Sequence, residues 1–226
     1  MSEPSRRELL KAVYKLDLYS FLQCAFGVLE PGNRFMPAAY LELLCAALMQ
    51  VDARAVKRLI INTPPRHLKS FVTSVVFPAW LLMRDPKTKI AVICHSDMLA
   101  NDLASKCKRL IESDEYRQIA PQVQIRQDRD RRMDFETTRG GGVYFASIAS
   151  GITGRGFDHI ILDDPIAAND AQSAAERDRV QQAFDDMISS RLDEPARGTI
   201  TVVQQRLHEA DLSGYFLSKG GWDILC

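Results

Sequence analysis

A loop with basic and hydroxyl side chains follows the first short apolar run of the chain. Residues 59–61 are aliphatic, and residues 63–70 (Thr-Pro-Pro-Arg-His-Leu-Lys-Ser) come next, at the expected start of a helix. In a phosphate-binding loop of spacing G-x-x-x-x-G-K-[ST], backbone amides surround the phosphates, the lysine contacts the β and γ oxygens, and the hydroxyl contacts Mg²⁺. Lys69 and Ser70 occupy those last two positions.

The loop departs from this spacing at both glycines. Thr63 replaces the first, and Leu68 replaces the second, where a Cβ disfavours positive φ. Pro64, Pro65, Arg66 and His67 lie between them, and Arg66 is a second cation that could reach a γ-phosphate. A plain strand–turn–helix junction, with a solvated lysine and a serine cap, fits this stretch equally well.

Two adjacent carboxylates end another aliphatic run. Asp163 and Asp164 follow residues 159–162, which is typical of a Walker B strand. In that pattern the first carboxylate holds Mg²⁺ through water, and the next acid positions the attacking water. A pair of turn-forming acids before Pro165 is the alternative interpretation.

Two further polar groups have the right chemistry to act on a phosphate. Arg155 lies between glycines in residues 151–157 and is a candidate arginine finger, although a surface arginine in a turn fits as well. Gln205 and Arg206 follow the apolar run 198–203 and could sense a γ-phosphate. A separate segment, 126–139, interleaves five arginines with four acids, which favours a solvated, salt-bridged loop over a phosphate contact.

Strand and helix patterns alternate along the chain. Apolar periodicity predicts helices over residues 5–25, 37–50, 69–83, 97–113, 171–192 and 211–218. Strands are predicted over residues 59–61, 89–94, 133–138, 143–147, 159–162, 198–203 and 222–225. Continuous apolar strands between helices indicate an α/β fold, with a mostly parallel twisted sheet and helices on both faces. Ligands bind at the carboxyl ends of such strands, where the loop, the two aspartates and Gln205-Arg206 should meet.

Composition narrows the class of protein. The 226 residues suit one domain, and 29 cationic side chains balance 29 acidic ones, so no global field attracts nucleic acid or anionic lipid. The five cysteines lack metal-ligand spacing, and no apolar run is long enough to span a membrane. We therefore expect an intracellular, reduced protein without structural zinc and without a membrane partner.

The ordered set of motifs resembles the large terminase subunit of tailed bacteriophages and prophages. The set comprises PPRHLKS (64–70), GITGRG (151–156), ILDDP (161–165) and QRLHEADLSG (205–214). The resemblance covers roughly residues 30–220, and the family's loop glycine, coupling threonine and following tryptophan are here Leu68, Gln205 and Leu207.

The resemblance implies an ATPase that packages double-stranded DNA into a procapsid in the cytoplasm of a bacterial host. Its fold would be a P-loop NTPase fold of the RecA-like, additional-strand type, with ATP and Mg²⁺ as cofactors. Lys69 would bind phosphate, Ser70 and Asp163 would serve the metal, and Asp164, Arg66 and Arg155 would be catalytic. Gln205 and Arg206 would couple hydrolysis to movement. Portal protein and small terminase would be partners of a homo-oligomeric ring that is monomeric in isolation.

The family's domain layout leads to an expectation about extent. Residues 1–55 would form a helical entry segment packed on an ATPase core of residues 56–226. Large terminases also carry a C-terminal nuclease domain, and this sequence stops at Cys226, soon after the coupling motif. We therefore expect an isolated ATPase domain, truncated or naturally short, without nuclease activity. A helicase-type ATPase of the same fold and a degenerate, non-hydrolysing assembly module remain the two alternatives.

Overall fold

One eight-stranded sheet organises the chain. The computed structural model describes residues 6–150, 152 and 154–226. The strands are β1 (Arg58–Asn62), β2 (Lys89–Cys94), β3 (Ile125–Arg131), β4 (Asp134–Thr137), β5 (Gly142–Ser147), β6 (His159–Asp163), β7 (Thr199–Gln204) and β8 (Asp223–Leu225). Their spatial order is β3-β4-β5-β2-β6-β7-β1-β8, parallel from β5 to β8 and antiparallel between β3, β4 and β5. The predicted mostly parallel α/β sheet is confirmed.

Helices cover both faces of this sheet. They are α1 (Arg6–Leu16), α2 (Leu18–Leu29), α3 (Ala39–Asp52), α4 (Phe77–Arg84), α5 (Asp97–Glu112), α6 (Asp114–Ile119), α7 (Ala174–Ala183) and α8 (Leu212–Lys219). Apolar residues of α2 to α5 form one buried cluster with one face of the sheet, and those of α7 and α8 form another with the opposite face. None of the helices described here combines the length and apolar content needed to cross a membrane.

The predicted helix over residues 5–25 is two helices. The helix is interrupted at Asp17. The Oδ2 atom of Asp17 accepts a hydrogen bond from the amide of Ser20 at 2.7 Å and so caps the start of α2. Aspartate at this position satisfies an amide that a helix leaves unpaired at its amino end. The break lets α2 bury its apolar residues, whereas Leu9, Val13 and Leu16 of α1 stay exposed.

The helix that follows the loop is wound unevenly. Its helical path begins at Lys69, but residues Phe71–Val76 form a π-helical segment before α4. In this segment the amide of Phe77 donates to the carbonyl of Val72, five residues back. Pro78 has no N–H to donate to the carbonyl four residues before it, which disturbs the regular α-helical ladder at this point.

Other boundaries also differ from the predicted ones. The predicted helix over residues 171–192 narrows to α7, followed by a π-helical turn at Phe184–Ile188 and a 3₁₀ turn at Ser189–Arg191. Strand β3 and helix α6 were not predicted. Charged side chains dominate in β3 because it is the edge strand of the sheet. Ser113 is both the carboxyl-terminal cap of α5 and the amino-terminal cap of α6, so the two helices follow each other directly.

We expect Asp17→Ala to lower the free energy of unfolding by about 1 kcal/mol, because it removes the cap of α2. Chemical denaturation followed by circular dichroism measures this change. Asp178→Ala, at an exposed position inside α7, is the matched control and should change stability by less than about 0.5 kcal/mol. Equal effects of the two substitutions would contradict the capping role.

Candidate phosphate-binding site

Three neighbouring strands deliver their polar ends to one place. β6, β7 and β1 are adjacent and parallel, so their carboxyl ends share one edge of the sheet. The amide of Thr63, just after β1, donates to the carbonyl of Gln204 at 3.3 Å, and the amide of Asp164, just after β6, donates to Val203 at 2.8 Å. The predicted meeting is confirmed for the loop, the aspartates and the backbone of Gln205, but not for the side chain of Arg206.

An ion pair links the loop to the end of β6. Lys69 Nζ lies 2.5 Å from Asp164 Oδ1, and the lysine side chain is only 8% exposed. Removing an ammonium group from water is costly unless a counter-charge accompanies it. Asp164 is that counter-charge, and it is itself 31% exposed, so the pair is open to solvent on the aspartate side.

The second carboxylate is fully buried and held by hydroxyl groups. Ser70 Oγ donates to Asp163 Oδ1 at 2.9 Å, and Ser74 Oγ donates to Oδ2 at 2.6 Å. Burial raises the pKa of Asp163 from 3.8 to about 6, and the nearby Asp164 carboxylate acts in the same direction. Hydrogen bonds from Ser74 and Ser70 oppose that rise because they favour the charged form.

The loop adopts left-handed backbone at two residues that are not glycine. Arg66 has φ 63° and Leu68 has φ 56°, so Leu68 takes the conformation that its Cβ disfavours. Its half-buried side chain packs against the larger core cluster, and this packing stabilises the strained conformation. A turn with left-handed residues at the start of a helix forms a concavity lined with amides, which binds anions.

Loop amides remain available in this concavity. Within the described residues, the amides of Arg66, His67 and Leu68 donate no hydrogen bond. The rim is exposed: the side chains of Arg66 and His67 face solvent, as do Pro64 and Pro65. His67 Nδ1 lies 2.8 Å from the carbonyl of Pro65, which braces the turn from within.

The backbone of Asp164 is also left-handed and is clamped by a histidine. Asp164 has φ 44°, and its carbonyl accepts both the amide of His95 at 3.2 Å and His95 Nδ1 at 2.9 Å. His95 follows β2, the neighbour of β6, so it also belongs to the carboxyl edge. The clamp fixes the direction in which the Asp164 carboxylate points.

The segment after β7 reaches the site through its backbone. The amide of Gln205 donates to Asp164 Oδ1 at 3.2 Å. Arg206 turns away and pairs with Asp211 at 3.2 Å, and the buried Asp211 also caps α8 by accepting the amide of Gly214 at 3.0 Å. Two hydrogen-bonded contacts, joined through the backbone of residues 205 and 206, therefore link Asp164 to the start of α8.

Arg155 does not join this site. Its guanidinium makes two 2.7 Å hydrogen bonds to Asp134 and lies 4.7 Å from the ring centre of Tyr144. With Lys89 and Gly142 it lines a cavity of about 330 Å³ near the amino ends of β2 and β5, at the opposite edge of the sheet. Gly151 and Thr153 of the same motif lie outside the described residues.

The donor set fits a magnesium ion. Ser70 Oγ and the Asp163 carboxylate are oxygen ligands of the kind that Mg²⁺ prefers. No group of three or more His, Cys, Asp or Glu that could hold a metal occurs among the described residues. A site with one or two protein ligands suits Mg²⁺, which retains water and takes further oxygens from phosphates.

Two residues of the site were not found by sequence reasoning. Ser74 lies four residues after Ser70, a spacing that places both hydroxyls on one side of a helix, and this spacing could have identified it. His95 carries no such signal, since its role depends on β2 lying beside β6.

Comparison with known proteins identifies a family for the chain. No curated protein matches the chain. The family model described as terminase large subunit, T4-like virus type, N-terminal matches residues 60–213, which is more than half of the chain. The match begins within β1 and ends within α8, so it contains Lys69, Ser70, the two aspartates and Gln205. The chain therefore belongs to the terminase large subunit family, as the order of its motifs predicted.

Proposed function

We propose that this chain is the ATPase of a phage DNA-packaging motor, with a P-loop NTPase fold. Membership of the terminase large subunit family indicates a component of a DNA-packaging motor. The observation that supports hydrolysis is the direct contact between loop and strand: Lys69 with Asp164, and Ser70 with Asp163. Lys69 would supply a cation for the phosphates, and Ser70 and Asp163 would supply oxygen ligands for Mg²⁺. Asp164 would supply the carboxylate that orients the attacking water.

Nucleotide binding would exchange the partner of Lys69. The β and γ phosphates carry more negative charge than one carboxylate, so Lys69 would turn from Asp164 to the phosphates. The free amides of Arg66, His67 and Leu68 would add partial positive charge around the same oxygens. Arg66, exposed on the rim of the loop, would reach the γ-phosphate.

Ser70 and Asp163 would hold Mg²⁺. A bound Mg²⁺ would supply positive charge that stabilises the negative charge developing on the phosphates. Ser74 Oγ donates to the Oδ2 atom of Asp163, so this hydroxyl would keep the carboxylate oriented while Ser70 served the ion. The buried position of Asp163 excludes bulk water from that side of the reaction.

Release of Lys69 would free Asp164 to orient the attacking water. Among the described residues, its Oδ1 would then keep the amide of Gln205 as a donor, and the contacts of His95 would still hold its backbone. A carboxylate fixed in this way can accept the proton of the water as it attacks. The link from Gln205 through Arg206 to Asp211 would carry the state of the site to α8.

The remaining partners follow from the family resemblance and are part of this proposal. The chain would act on double-stranded DNA in the bacterial cytoplasm, in a homo-oligomeric ring with portal protein and small terminase. Arg155 could serve a neighbouring subunit only after leaving Asp134, because both of its terminal nitrogens are bonded to that carboxylate.

We expect Lys69→Ala and Asp163→Ala to lower Mg²⁺-dependent ATP hydrolysis at least about a hundredfold, since each removes a charge that stabilises the transition state. Phosphate release by the chain alone and by its assembly with a portal measures the rate. Lys57→Ala, which removes an exposed lysine outside the loop, should hydrolyse ATP at the wild-type rate.

Equal rates for wild type and both variants would refute the ATPase. If calorimetry then showed micromolar binding of a non-hydrolysable ATP analogue, the chain would be a nucleotide-binding module without turnover. Separation of the strands of a tailed duplex would instead favour the helicase-type alternative.

We expect Leu68→Gly to be more stable than Leu68→Ala by about 1 kcal/mol, because both lose the leucine side chain but only glycine adopts φ 56° without strain. Denaturant unfolding of both variants measures the difference. Met98, in the first turn of α5, is the control position, where alanine should be more stable than glycine. A Leu68→Ala variant as stable as Leu68→Gly would contradict backbone strain at this position.

We expect the stability of the metal-free protein to fall between about pH 4 and pH 6 as Asp163 ionises. The folded pKa, about 6, lies above the unfolded value of 3.8, so the folded state binds more protons in this window and loses that advantage as the pH rises. The loss is about 1.4 kcal/mol for each unit between the two values. Asp163→Asn should lack this contribution. The free energies of unfolding of wild type and variant, measured in EDTA at several pH values, should therefore differ by an amount that changes across the window. A constant difference would contradict the prediction.

A further inference from the structure

We propose that the outer hairpin of the sheet binds the phosphate backbone of duplex DNA through four arginines. The outer hairpin comprises β3, β4 and the turns that follow each of them, and the arginines are Arg129, Arg131, Arg132 and Arg139. This inference rests on the proposed function and names the surface by which the chain would hold its DNA.

The acids of the outer hairpin are already paired with cations. Asp128 and Glu136 both pair with Arg126, at 2.6 and 2.9 Å. The other two pair with cations from outside the hairpin: Asp130 with Lys108 of α5 at 2.5 Å, and Asp134 with Arg155 at 2.7 Å. Three cations, Arg126, Lys108 and Arg155, therefore serve all four of these acids, and Lys108 also lies 3.9 Å from Glu112 of its own helix.

Four arginines of the outer hairpin have no acidic partner among the described residues. All four are exposed. The expected salt-bridged loop is thus only half of what the hairpin contains, because Lys108 and Arg155 take two of the acids that would have served these arginines. The chain has equal numbers of cationic and acidic residues, so such a cluster creates a positive potential that is local to this surface.

The placement of the arginines suits an extended polyanion. β3 is the edge strand of the sheet, so a large partner can approach it without displacing another strand. Arg129 and Arg131 lie two positions apart on β3, an advance of about 6.6 Å, which matches the axial rise of about two phosphates on one strand of duplex DNA. Arg132 and Arg139 extend the surface to the two ends of β4.

Phosphate contact is also the chemistry that a moving motor needs. Guanidinium groups bind phosphate oxygens with two parallel hydrogen bonds, and such contacts carry no sequence information. The outer hairpin would therefore grip any sequence equally and could release and rebind as DNA passes.

The test is fluorescence anisotropy of a labelled blunt 30-base-pair duplex with the full chain, without nucleotide, over a series of NaCl concentrations. The variant R129Q/R131Q/R132Q/R139Q should bind at least tenfold more weakly than wild type at low salt. The slope of log affinity against log salt should decrease by about 0.9 for each arginine that contacts a phosphate. The variant with lysine at all four positions should retain most of the binding, since the charges remain.

A second variant controls for loss of charge alone. K11Q/R34Q/K57Q/R117Q also removes four cations that lack an ion pair within the described residues, but at scattered positions outside the outer hairpin. It should bind duplex like wild type. The surface is overturned if both glutamine variants lose affinity equally, if the hairpin variant binds normally, if wild type binds no duplex, or if it prefers a single strand.

Hydrolysis measured on the same proteins separates this inference from the proposed function. The hairpin variant should keep the wild-type rate of ATP hydrolysis without DNA, because none of the four arginines lies at the phosphate-binding site. Normal hydrolysis with unchanged duplex binding would overturn the surface and leave the ATPase standing. If the chain hydrolysed no ATP but lost duplex binding in the hairpin variant, the ATPase would be overturned and the DNA-binding surface would stand.

Discussion

The contact between Lys69 and Asp164 is the interaction on which the rest of the site depends. It joins the loop after β1 to the end of β6, two strands that are separated in the sheet by β7. The nearly buried ammonium group needs an anionic partner, so the loop cannot leave the sheet edge without exposing or stranding that charge. The left-handed residues Arg66, Leu68 and Asp164 all lie within or beside this contact.

Asp163 forms the deeper half of the same arrangement. It anchors the helix behind the loop through Ser70 and Ser74, and its burial makes the negative charge costly when nothing but hydroxyl groups faces it. A divalent cation beside it would remove that cost. Lys69 and Asp163 are therefore both held in the free protein in states that a magnesium nucleotide would relieve: a cation with one carboxylate, and a carboxylate without a full counter-charge.

Sequence reasoning found the parts of the fold that have local signals. The apolar strands β1, β2, β6 and β7 and the polar residues at their ends follow from hydrophobic runs and motif spacing. β3 was missed because an edge strand need not be apolar, and the break at Asp17 was missed because apolar periodicity continues across it.

The site was predictable to the same extent. Lys69, Ser70 and Asp163 stand in recognisable patterns, but the clamp by His95 depends on which strands are neighbours. The pairing of Arg155 with Asp134 likewise depends on tertiary structure, since 21 positions separate them in the chain. The replacement of glycine by Leu68 indicated a damaged loop, yet packing of its side chain holds the backbone in the glycine-like conformation.

The π-helical segment Phe71–Val76 sets the angular alignment of the loop relative to the core. A π-turn contains one residue more than the α-turn it replaces, and each α-helical residue turns the chain by about 100°. Downstream, Trp80 and its neighbours in α4 are buried and cannot rotate freely. Winding the segment as regular α-helix would therefore swing Lys69 and Ser70 by about that angle around the helix axis, away from Asp163 and Asp164. One extra residue in the π-helical segment thus sets the rotation of Lys69 and Ser70 about the helix axis. The contacts of these residues with Asp164 and Asp163 both depend on that rotation.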